Sequence, residues 1–286
     1  MLIVRFLGGL GNQLFQYAFM EYLKLNNSEV YADISDFQYH KHHYGYELEK
    51  IFGCDVAKAD KKQIASLSIN HNKLAIKIPE KLLGIRICKK SEFYEFLVPL
   101  NIIASSITSD IWFSGWWQNT YYIEKVQDIL RQKLVFHVPL QGKNLECYKQ
   151  MQNTETVSVH IRRQDYLKDT NFAGICGIDY YHRAVEYMKE KLEKPVFLFF
   201  SDDIEWCKGN FGNREENCYI DWNSGSDSFK DMQLMSLCKN NIIANNTFSW
   251  WGAWLNSYDR KIVIMPRQWT RLSGSGTLAW NGWLRM

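Results

Sequence analysis

Four polar segments in the second half of the chain each follow a short apolar run, and their side chains are of the kinds that bind phosphate. The segments are His160–Tyr166, Ser201–Asp203, Asp221–Asn223 and Asn245–Ser249. In an open parallel sheet, ligands bind outside the carboxyl ends of the strands, which is where such segments lie. We therefore expect the four segments to converge on one sheet edge and to form a binding site there.

An arginine in the first segment suits a phosphate best. The run Thr156–Ile161 has the twofold alternation of a strand, which points His160 and Arg162 to the same side. A guanidinium keeps its charge and donates paired hydrogen bonds to a diphosphate. The alternative is a structural role, in which Arg162 or Arg163 only pairs with Asp165.

A helix start supplies the other half of this expected anion clamp. Asn245–Ser249 opens an apolar stretch with helical spacing, so its backbone N–H groups, its hydroxyls and the positive end of the helix dipole favour an anion. Together with Arg162, the pattern predicts a two-sided diphosphate site. The alternative is that Thr247 is only the helix cap.

Regular alternation of strands and helices positions these segments. The predicted strands are Thr156–Ile161, Pro195–Ser201, Cys218–Ile220, Asn241–Ala244 and Lys261–Met265. The predicted helices are Tyr180–Glu193 with Asp179 as N-cap, Ser228–Cys238 with Asp227 as N-cap, and Phe248–Asn256. Such alternation indicates an α/β fold with a parallel, doubly wound sheet.

The first half of the chain opens with a strand, a glycine turn and a helix. Leu2–Leu7 is mostly apolar, Gly8–Asn12 contains three glycines, and apolar residues recur at helical spacing from Gln13. A second strand is predicted at Glu29–Ala32. Residues 34–110 show no clear period, so the sequence predicts no particular elements there.

The glycine turn has a rival explanation as a dinucleotide-binding fingerprint. Gly9 and Gly11 follow a strand, and Asp33 ends the next one, where such sites place a ribose-binding acid. Leu14 stands where the third glycine should allow close packing of helix and strand. A nicotinamide or flavin oxidoreductase is therefore the weaker alternative.

Composition excludes several classes of protein. Hydrophobic residues make up 46% of the 286 residues and charged residues 23%, which suits one large or two smaller globular domains. A net charge of +3 argues against nucleic acid as a partner. The apolar runs are far shorter than a membrane span, so we expect a soluble, cytoplasmic protein without a secretory signal.

Metal binding is not expected. The seven cysteines form no C-x-x-C pair, and the histidines have no spacing typical of metal ligands, which favours a reducing compartment and no structural metal. His40, His42 and His43 do cluster, but they lie in a polar, tyrosine-rich loop where a solvated role is expected.

Several motifs together identify a known family. They are the N-terminal run from Gly8 to Ala18, the segment Gly115–Asn119, the H-x-R-R-x-D-Y motif from His160 to Tyr166, and the run from Ala244 to Gly252. With these motifs in this order, nearly the whole chain resembles the bacterial α-1,2-fucosyltransferases of glycosyltransferase family eleven. Two positions depart from the family pattern, since Gln164 stands for a glycine and Asn246 for a serine.

The resemblance implies a fold and an activity. The fold would be GT-B, with two Rossmann-like domains facing across a cleft: an acceptor-side domain in residues 1–150 and a domain that binds the GDP-sugar in residues 151–286. The donor would be GDP-β-L-fucose and the usual acceptor a terminal galactose of a glycan or surface polysaccharide, with inversion at the anomeric carbon. No metal would be required.

The resemblance also implies roles for individual residues. Arg162 would be catalytic, stabilising the charge that develops on the leaving GDP in place of a divalent cation. His160 would lie along the nucleotide, Asp202 near the guanine or ribose, and Asn12 would reach the donor from the first domain. The phosphates would be held by three residues at the helix start, namely Thr247, Phe248 and Ser249.

Acceptor binding and proton removal are less defined by the sequence. Trp116 and Trp117 are acceptor candidates, because adjacent strand residues face opposite sides and each ring offers a flat face to a sugar. No catalytic base is singled out among Asp33, Asp36, His40 and Glu47 in the first domain, and a dissociative route with a phosphate oxygen as base is equally open.

Two other functions and one further partner stay open. A non-catalytic nucleotide- or carbohydrate-binding protein would keep the same site, and the oxidoreductase would use the glycine turn instead. Peripheral contact with the inner membrane face is open because basic residues cluster at Lys61–Lys62, Arg86 and Lys89–Lys90.

Overall fold

The computed structural model describes residues 1–38, 44–69, 74–84, 87–95, 101–272 and 278–286. The chain divides into two compact units. The first comprises Met1–Glu49 and Gly53–Lys133, and the second comprises Lys50–Phe52 and Leu134–Met286.

The first unit is built on a sheet whose described strands are all parallel. These strands are β1 (Leu2–Arg5), β2 (Val30–Asp33), β3 (Glu92–Tyr94) and β4 (Ile111–Ser114). Their order is β2-β1-β4-β3, so the chain runs from β1 to one side and then returns to the other side of β1. Both β3 and β4 fall in or next to the region where the sequence showed no clear period, and neither was predicted.

Helices accompany the sheet of the first unit. They are α1 (Leu10–Lys24), α3 (Lys61–Leu67), α4 (Leu74–Leu83) and α5 (Thr120–Lys133), and the short α2 (Leu48–Phe52) is divided between the two units. Both α1 and α3 contact strands of the sheet directly. Thirteen of the fifteen residues of α1 are buried, which makes it the central helix of this unit. It starts at Leu10, inside the predicted glycine turn and three residues earlier than predicted.

The second unit contains a longer sheet, again with parallel strands throughout its described part. The strands are β5 (Thr156–Ile161), β6 (Val196–Ser201), β7 (Asn217–Ile220), β8 (Asn240–Ile242), β9 (Val263–Met265) and β10 (Leu284–Arg285). Their order is β10-β9-β8-β5-β6-β7. In chain order this is the 3-2-1-4-5-6 arrangement of a Rossmann sheet.

The helices of the second unit alternate with these strands; three of them were predicted, and those at Gly142–Met151 and Ile204–Phe211 were not. They are α6 (Gly142–Met151), α7 (Ile178–Lys191), α8 (Ile204–Phe211), α9 (Phe229–Leu237) and α10 (Thr247–Leu255). Val157, Val159 and Ile161 of β5 all join one buried cluster, which also contains residues of α7. The expected alternation along β5 is therefore confirmed, and so is the expected α/β class with two Rossmann-like parallel sheets.

Two predicted helix caps were wrong. The N-cap of α7 is Gly177, and Asp179 lies inside the first turn, where its charge still favours the positive helix end. The N-cap of α9 is Ser228, while Asp227 belongs to a preceding 3₁₀ turn and pairs with Lys230 at 2.8 Å. In both cases the acid stabilises a helix start without being its cap.

The units divide after Lys133 rather than at residue 150. The difference arises because α6 packs against α9 and so belongs to the second unit, although it precedes the first strand of that unit. The acceptor-side and donor-side roles of the two units stay predictions. Among the described residues, no helix is both long and apolar enough to cross a bilayer.

Candidate functional site

The strand order of the second unit reverses between β5 and β8, and this is where an open α/β sheet forms its ligand crevice. From β5 the chain builds β6 and β7 on one side and then returns to build β8, β9 and β10 on the other. The carboxyl ends of β5, β6 and β8 are therefore neighbours. Three of the four polar segments follow these three strands, as expected.

His160 joins the two sides of the crevice. It is 8% exposed, and its Nδ1 lies 3.2 Å from Nδ2 of Asn246. Oδ1 of Asn246 accepts the backbone N–H of Ser249 at 2.9 Å, so it is the amide NH₂ that faces the imidazole. The imidazole Nδ1 is then an acceptor, which leaves the ring proton on Nε2.

Burial keeps this histidine neutral. Together with the nearby charge of Arg162, burial lowers the pKa of His160 to about 3. Above that pH the ring is an uncharged hydrogen-bond donor at Nε2. Such a group suits a nucleobase or a ribose better than a proton-transfer step at neutral pH.

The N-terminus of α10 lies on the β8 side of the crevice. Asn246, and not Thr247, is its N-cap, so the alternative that Thr247 only caps the helix is excluded. Thr247 and Phe248 form the first turn, whose N–H groups point along the axis toward the helix start. The Phe248 ring lies 5.8 Å from the His160 ring, so these two predicted residues are close together.

Ser249 does not fit its predicted role as a phosphate ligand. It is fully buried, and its hydroxyl lies 3.0 Å from Oδ1 of Asn246. Its backbone N–H is taken by the same oxygen. Ser249 therefore holds the cap residue in place, and the prediction of a direct contact is corrected because a capping side chain occupies both of its polar groups.

Arg162 follows the end of β5 and is held between two carboxylates. Its Nη2 lies 2.8 Å from Asp165, and its Nη1 lies 3.1 Å from Asp202. Pairing with Asp165 was the structural alternative, and that contact is present, but Asp202 at the end of β6 fixes the guanidinium from a second side. The side chain stays 37% exposed, so part of it still faces solvent.

The neighbouring arginine points elsewhere. Nε of Arg163 lies 3.1 Å from Asp203, and its guanidinium covers the Trp206 ring at 4.0 Å. Asp203 is the N-cap of α8 and accepts the Trp206 N–H. Arg163 thus ties α8 to the sheet, and of the two arginines only Arg162 stays at the crevice.

Two further observations define this edge. The backbone N–H of Arg163 donates to Asp202 at 2.9 Å, and burial raises the pKa of Asp202 while the Arg162 charge opposes that rise.

Gln164, which replaces a family glycine, needs no left-handed backbone, because the described non-glycine residues with positive φ are Trp117 and Lys194. The substitution therefore fits this turn.

The segment after β7 is used for packing rather than for the crevice. The Trp222 indole donates to Asn144 of α6 at 2.8 Å, and Asn223 donates to Asp231 of α9 at 2.7 Å. The expectation that all four polar segments share one site is corrected in this respect. The reason is that β7 is at the edge of the sheet, away from the β5–β8 reversal.

The first unit has its own polar rim where its strand order reverses, between β1 and β4. Gly8 has a φ of +78°, and a Cβ there would lie 2.8 Å from Nδ2 of Asn12 and 3.0 Å from the Trp116 ring. Oδ1 of Asn12 accepts Nε2 of Gln118 at 3.1 Å. Glycine at position 8 is therefore what lets these side chains meet.

Two buried glutamines of α1 hold this rim, and the sequence analysis assigned them no role. Nε2 of Gln13 donates to the Gly8 carbonyl at 3.0 Å, and Gln16 donates to the Gly115 carbonyl at 3.2 Å. Both side chains are fully buried. Their amide groups satisfy loop backbone that would otherwise be buried without partners, and glutamines three apart in an apolar helix are the signal that could have found them.

The two predicted acceptor tryptophans have different environments. Trp116 is 43% exposed, whereas Trp117 is fully buried and stacks on Phe19 with ring centroids 3.9 Å apart. The prediction for Trp117 is corrected, since it offers no ring face to a sugar. The reason is that β4 ends at Ser114, so both tryptophans lie in a turn and not in a strand.

A carboxylate that the sequence analysis missed supports this turn. Glu95 is 8% exposed and accepts the backbone N–H of Trp117 at 2.6 Å. A Cβ at Gly115 would lie 2.6 Å from the Glu95 Cβ, so the turn wraps closely around the acid. Burial raises the pKa of Glu95 to about 7, against the effect of the Trp117 and Trp116 N–H groups. An acid within the apolar run of residues 93–98 was the available signal.

The acids considered as bases or ribose ligands are engaged elsewhere. Asp33 is 2% exposed, with one oxygen accepting the Trp112 indole N–H at 3.0 Å and the other accepting the Ser35 N–H at 3.0 Å. This arrangement disfavours the dinucleotide alternative, because the acid cannot reach a ribose. Asp36 pairs with Arg5. His40, with its two histidine neighbours, lies outside the described residues.

Among the described residues, no group of three or more histidine, cysteine, aspartate or glutamate side chains could hold a metal ion. The expectation that no metal takes part stays a prediction.

Known proteins resemble this chain, two of them over more than nine tenths of its length. The model of the family described as Glycosyl transferase family 11 matches residues 1–273. The O-antigen biosynthesis glycosyltransferase WbnK of Escherichia coli is 33% identical, with 98% of each chain covered. The alpha-1,2-colitosyltransferase of Escherichia coli is 34% identical over 93% of this chain and 91% of its own. Human galactoside alpha-(1,2)-fucosyltransferase 1 is 26% identical over 48% of this chain and 41% of its own.

Solved structures show the same fold. The fucosyltransferase NodZ from Bradyrhizobium matches with a TM-score of 0.57 and 13% identity, covering 96% of both chains. NodZ alpha-1,6-fucosyltransferase soaked with GDP-fucose matches with a TM-score of 0.53 and 13% identity, covering 88% of this chain and 91% of that one.

Proposed function

The chain belongs to glycosyltransferase family 11, and we propose that it is an inverting enzyme that transfers L-fucose from GDP-β-L-fucose to the 2-hydroxyl of a terminal galactose. The new bond joins the galactose oxygen to the fucose anomeric carbon, the bond from that carbon to the GDP oxygen breaks, and the hydroxyl proton passes from the acceptor to a phosphate oxygen of the departing GDP. The product is an α-1,2-linked fucoside in a glycan or surface polysaccharide.

One observation carries the proposal for the donor. The end of β5, with His160 and Arg162, lies against the N-terminus of α10 at the strand-order reversal, and the 3.2 Å contact between His160 and Asn246 joins the two sides. A guanidinium and a helix N-terminus are both groups that bind phosphate. A nucleoside diphosphate therefore has an anion site on either side of this crevice.

The same groups support departure of GDP without a metal. Negative charge grows on the β-phosphate as the glycosidic bond breaks, and Arg162 is already oriented by Asp165 and Asp202 when that charge appears. The first turn of α10, at Thr247 and Phe248, stabilises the other phosphate oxygens. Because the donors are held in place beforehand, little reorganisation accompanies the reaction.

Base and ribose contacts complete the proposed donor site. The neutral His160 offers its Nε2–H to the nucleotide, and Asp202, which Arg162 and the Arg163 backbone hold, accepts N–H or O–H groups of the guanine or ribose. Asn12 is proposed to contact the donor from the first unit.

The acceptor would use the rim of the first unit. Trp116, 43% exposed and beside Gly8, offers an aromatic face to a galactose ring, and Gln118, whose amide donates to Asn12, lies at the same place. WbnK, which is similar over 98% of this chain, carries O-antigen biosynthesis in its name, and this supports a polysaccharide acceptor.

A panel of donors tests the activity. We expect transfer from GDP-L-fucose to a β-galactoside, and a kcat/KM for GDP-colitose lower by about 10²-fold or more, because colitose lacks the 3-hydroxyl that a fucose site would bind. Product mass and linkage, read by mass spectrometry and NMR, are the measurements. Preference for GDP-colitose would replace fucose by colitose in the proposal, whereas GDP binding with no transfer or donor hydrolysis would indicate a non-catalytic binding protein.

Removal of metal is a separate test. We expect the same kcat for transfer in excess EDTA as in magnesium or manganese, because Arg162 and α10 supply the positive charge. Initial rates after extensive dialysis against chelator measure this. A loss of activity that added Mg²⁺ or Mn²⁺ restores would contradict metal-free departure of GDP.

A further inference from the structure

Positive charge is concentrated in one short stretch of the first unit. Residues 61–90 contain eight lysines and arginines and one glutamate, whereas the whole chain has a net charge of only +3. The rest of the chain is therefore net acidic. Such asymmetry in a nearly neutral protein indicates a local electrostatic role.

Two contacts hold described parts of this stretch close together. Nζ of Lys89 donates to the Ser66 carbonyl at 3.1 Å at the end of α3, which ties the segment after α4 to that helix. Glu80 of α4 accepts the Ile87 N–H at 2.9 Å, so the one acid of the stretch is used to hold the same segment. We call the result the basic surface; its exposed charged members are Lys61, Lys62, Lys81 and Lys90.

Two apolar side chains project from the same region. Ile78 and Leu82 of α4 are 52% and 80% exposed. Residues four apart lie on the same face of a helix, one turn above the other. Among the large hydrophobic side chains of the described residues, Leu82 has the highest exposed fraction. An apolar helix edge flanked by lysines is the pattern of a helix that lies in a membrane interface.

We propose that the basic surface, with Ile78 and Leu82, docks the protein peripherally on a bilayer that contains anionic lipids. The positive charge of the basic surface favours a bilayer over a second copy of the chain, because the second copy would bring the same positive surface and be repelled. A bilayer offers opposite charge at its headgroups and an apolar layer beneath them for the two side chains. The inference rests on the proposed function in one respect: the purpose of membrane docking would be to bring the enzyme to a lipid-linked glycan.

Vesicle binding tests the docking surface. The full chain is expected to co-sediment with vesicles of equimolar phosphatidylglycerol and phosphatidylcholine, and not with phosphatidylcholine alone or at high salt. The triple variant Lys61→Gln, Lys62→Gln, Lys81→Gln should lower the partition coefficient about 100-fold. The double variant Ile78→Ser, Leu82→Ser should lower it about tenfold or more.

Matched controls make the result specific to this surface. The triple variant Lys125→Gln, Lys149→Gln, Lys191→Gln removes the same charge from exposed positions elsewhere, and Leu25→Ser removes an apolar side chain that is 49% exposed. Both should bind vesicles within about twofold of the unchanged protein, because the lost groups lie away from the membrane.

Three outcomes would overturn the inference. The first is that the protein does not bind anionic vesicles, and the second is that test and control variants lose the same amount of vesicle binding. The third is that the test variants change the oligomeric state in size-exclusion chromatography while their vesicle binding is unchanged. GDP-fucose hydrolysis, measured without vesicles on every variant, is expected to stay unchanged. Hydrolysis without vesicle binding would reject the docking surface alone, and vesicle binding without hydrolysis or transfer would reject the proposed function alone.

Discussion

Replacing Arg162 with alanine is expected to lower kcat for transfer by about 10³-fold, while the affinity for GDP falls only about tenfold. The difference arises because the phosphate charge that Arg162 meets is greatest in the transition state. Steady-state rates with saturating donor give the first quantity, and isothermal titration calorimetry with GDP gives the second. Arg162→Lys should recover little, since an ammonium cannot keep paired contacts with Asp165 and Asp202 while it binds phosphate.

Arg163→Ala is the matched control, because it removes the same side chain from the next position. Arg163 lies over Trp206 and pairs with Asp203, so its loss should lower the melting temperature but change kcat much less than the loss of Arg162. Circular dichroism would verify that both variants are folded. Near-normal turnover by folded Arg162→Ala, or an equal loss of kcat in the two variants, would remove Arg162 from the catalytic role.

Replacing Glu95 with alanine is expected to raise the acceptor KM about tenfold or more, with the donor KM and the rate of donor hydrolysis unchanged. The variant leaves the buried Trp117 N–H without its acceptor, which costs about 1–3 kcal/mol and releases the turn that presents Trp116. Glu95 is thus a positioning residue for the acceptor. Initial rates over acceptor concentration, compared with GDP-fucose hydrolysis without acceptor, are the measurement.

Two variants separate this role from general stability. Glu95→Gln keeps an oxygen that accepts the Trp117 N–H and should restore an acceptor KM near that of the unchanged protein. Glu92→Ala removes a nearby carboxylate, at the start of β3, that accepts the Ile69 and Lys89 N–H groups instead, so it should lower stability without changing the acceptor KM. Equal effects of Glu92→Ala and Glu95→Ala would show that Glu95 is only structural.

The pH dependence of the acceptor KM gives an independent measure of Glu95. Burial raises the pKa of Glu95 to about 7, so the carboxylate, which is the stronger acceptor, is present above that pH and is lost as the pH falls through it. The titratable neighbour Tyr122 stays protonated there, because burial raises its pKa as well. The acceptor KM should therefore rise only modestly below pH 7 in the unchanged protein, toward the pH-independent value of Glu95→Gln, because the protonated carboxyl keeps a neutral carbonyl acceptor like that of the amide.

Much of the second unit could be predicted from local sequence patterns. The strand at Thr156–Ile161 was predicted at the observed bounds, and its alternation placed His160 on the face opposite to Val157, Val159 and Ile161, which join one apolar cluster. The helix starting near Phe248 was predicted one residue late. These features depend on side-chain period and helix-start chemistry within a few residues, and that information is local.

The first unit was less predictable for a physical reason. Its strands β3 and β4 are three and four residues long, and the turn after β4 is shaped by Glu95, 22 positions before the Trp117 N–H that it accepts. Neither residue reveals the other in the sequence. The sequence therefore could not distinguish Trp116 from Trp117 as an acceptor-binding residue, although Trp116 is exposed and Trp117 is buried.

Sequence alone determined the family, the alternation that builds the second sheet, and the kinds of side chain that follow its strands. Tertiary structure alone decided which of those side chains have protein partners. Asp202 pairs with Arg162, and Asp203 pairs with Arg163 away from the crevice. The Asn246 side chain accepts hydrogen bonds from both the backbone N–H and the hydroxyl of Ser249. Period and turn chemistry act between neighbours in the chain. The burial, ion pairing and pKa of a group depend on residues that only the folded chain brings within a few ångströms.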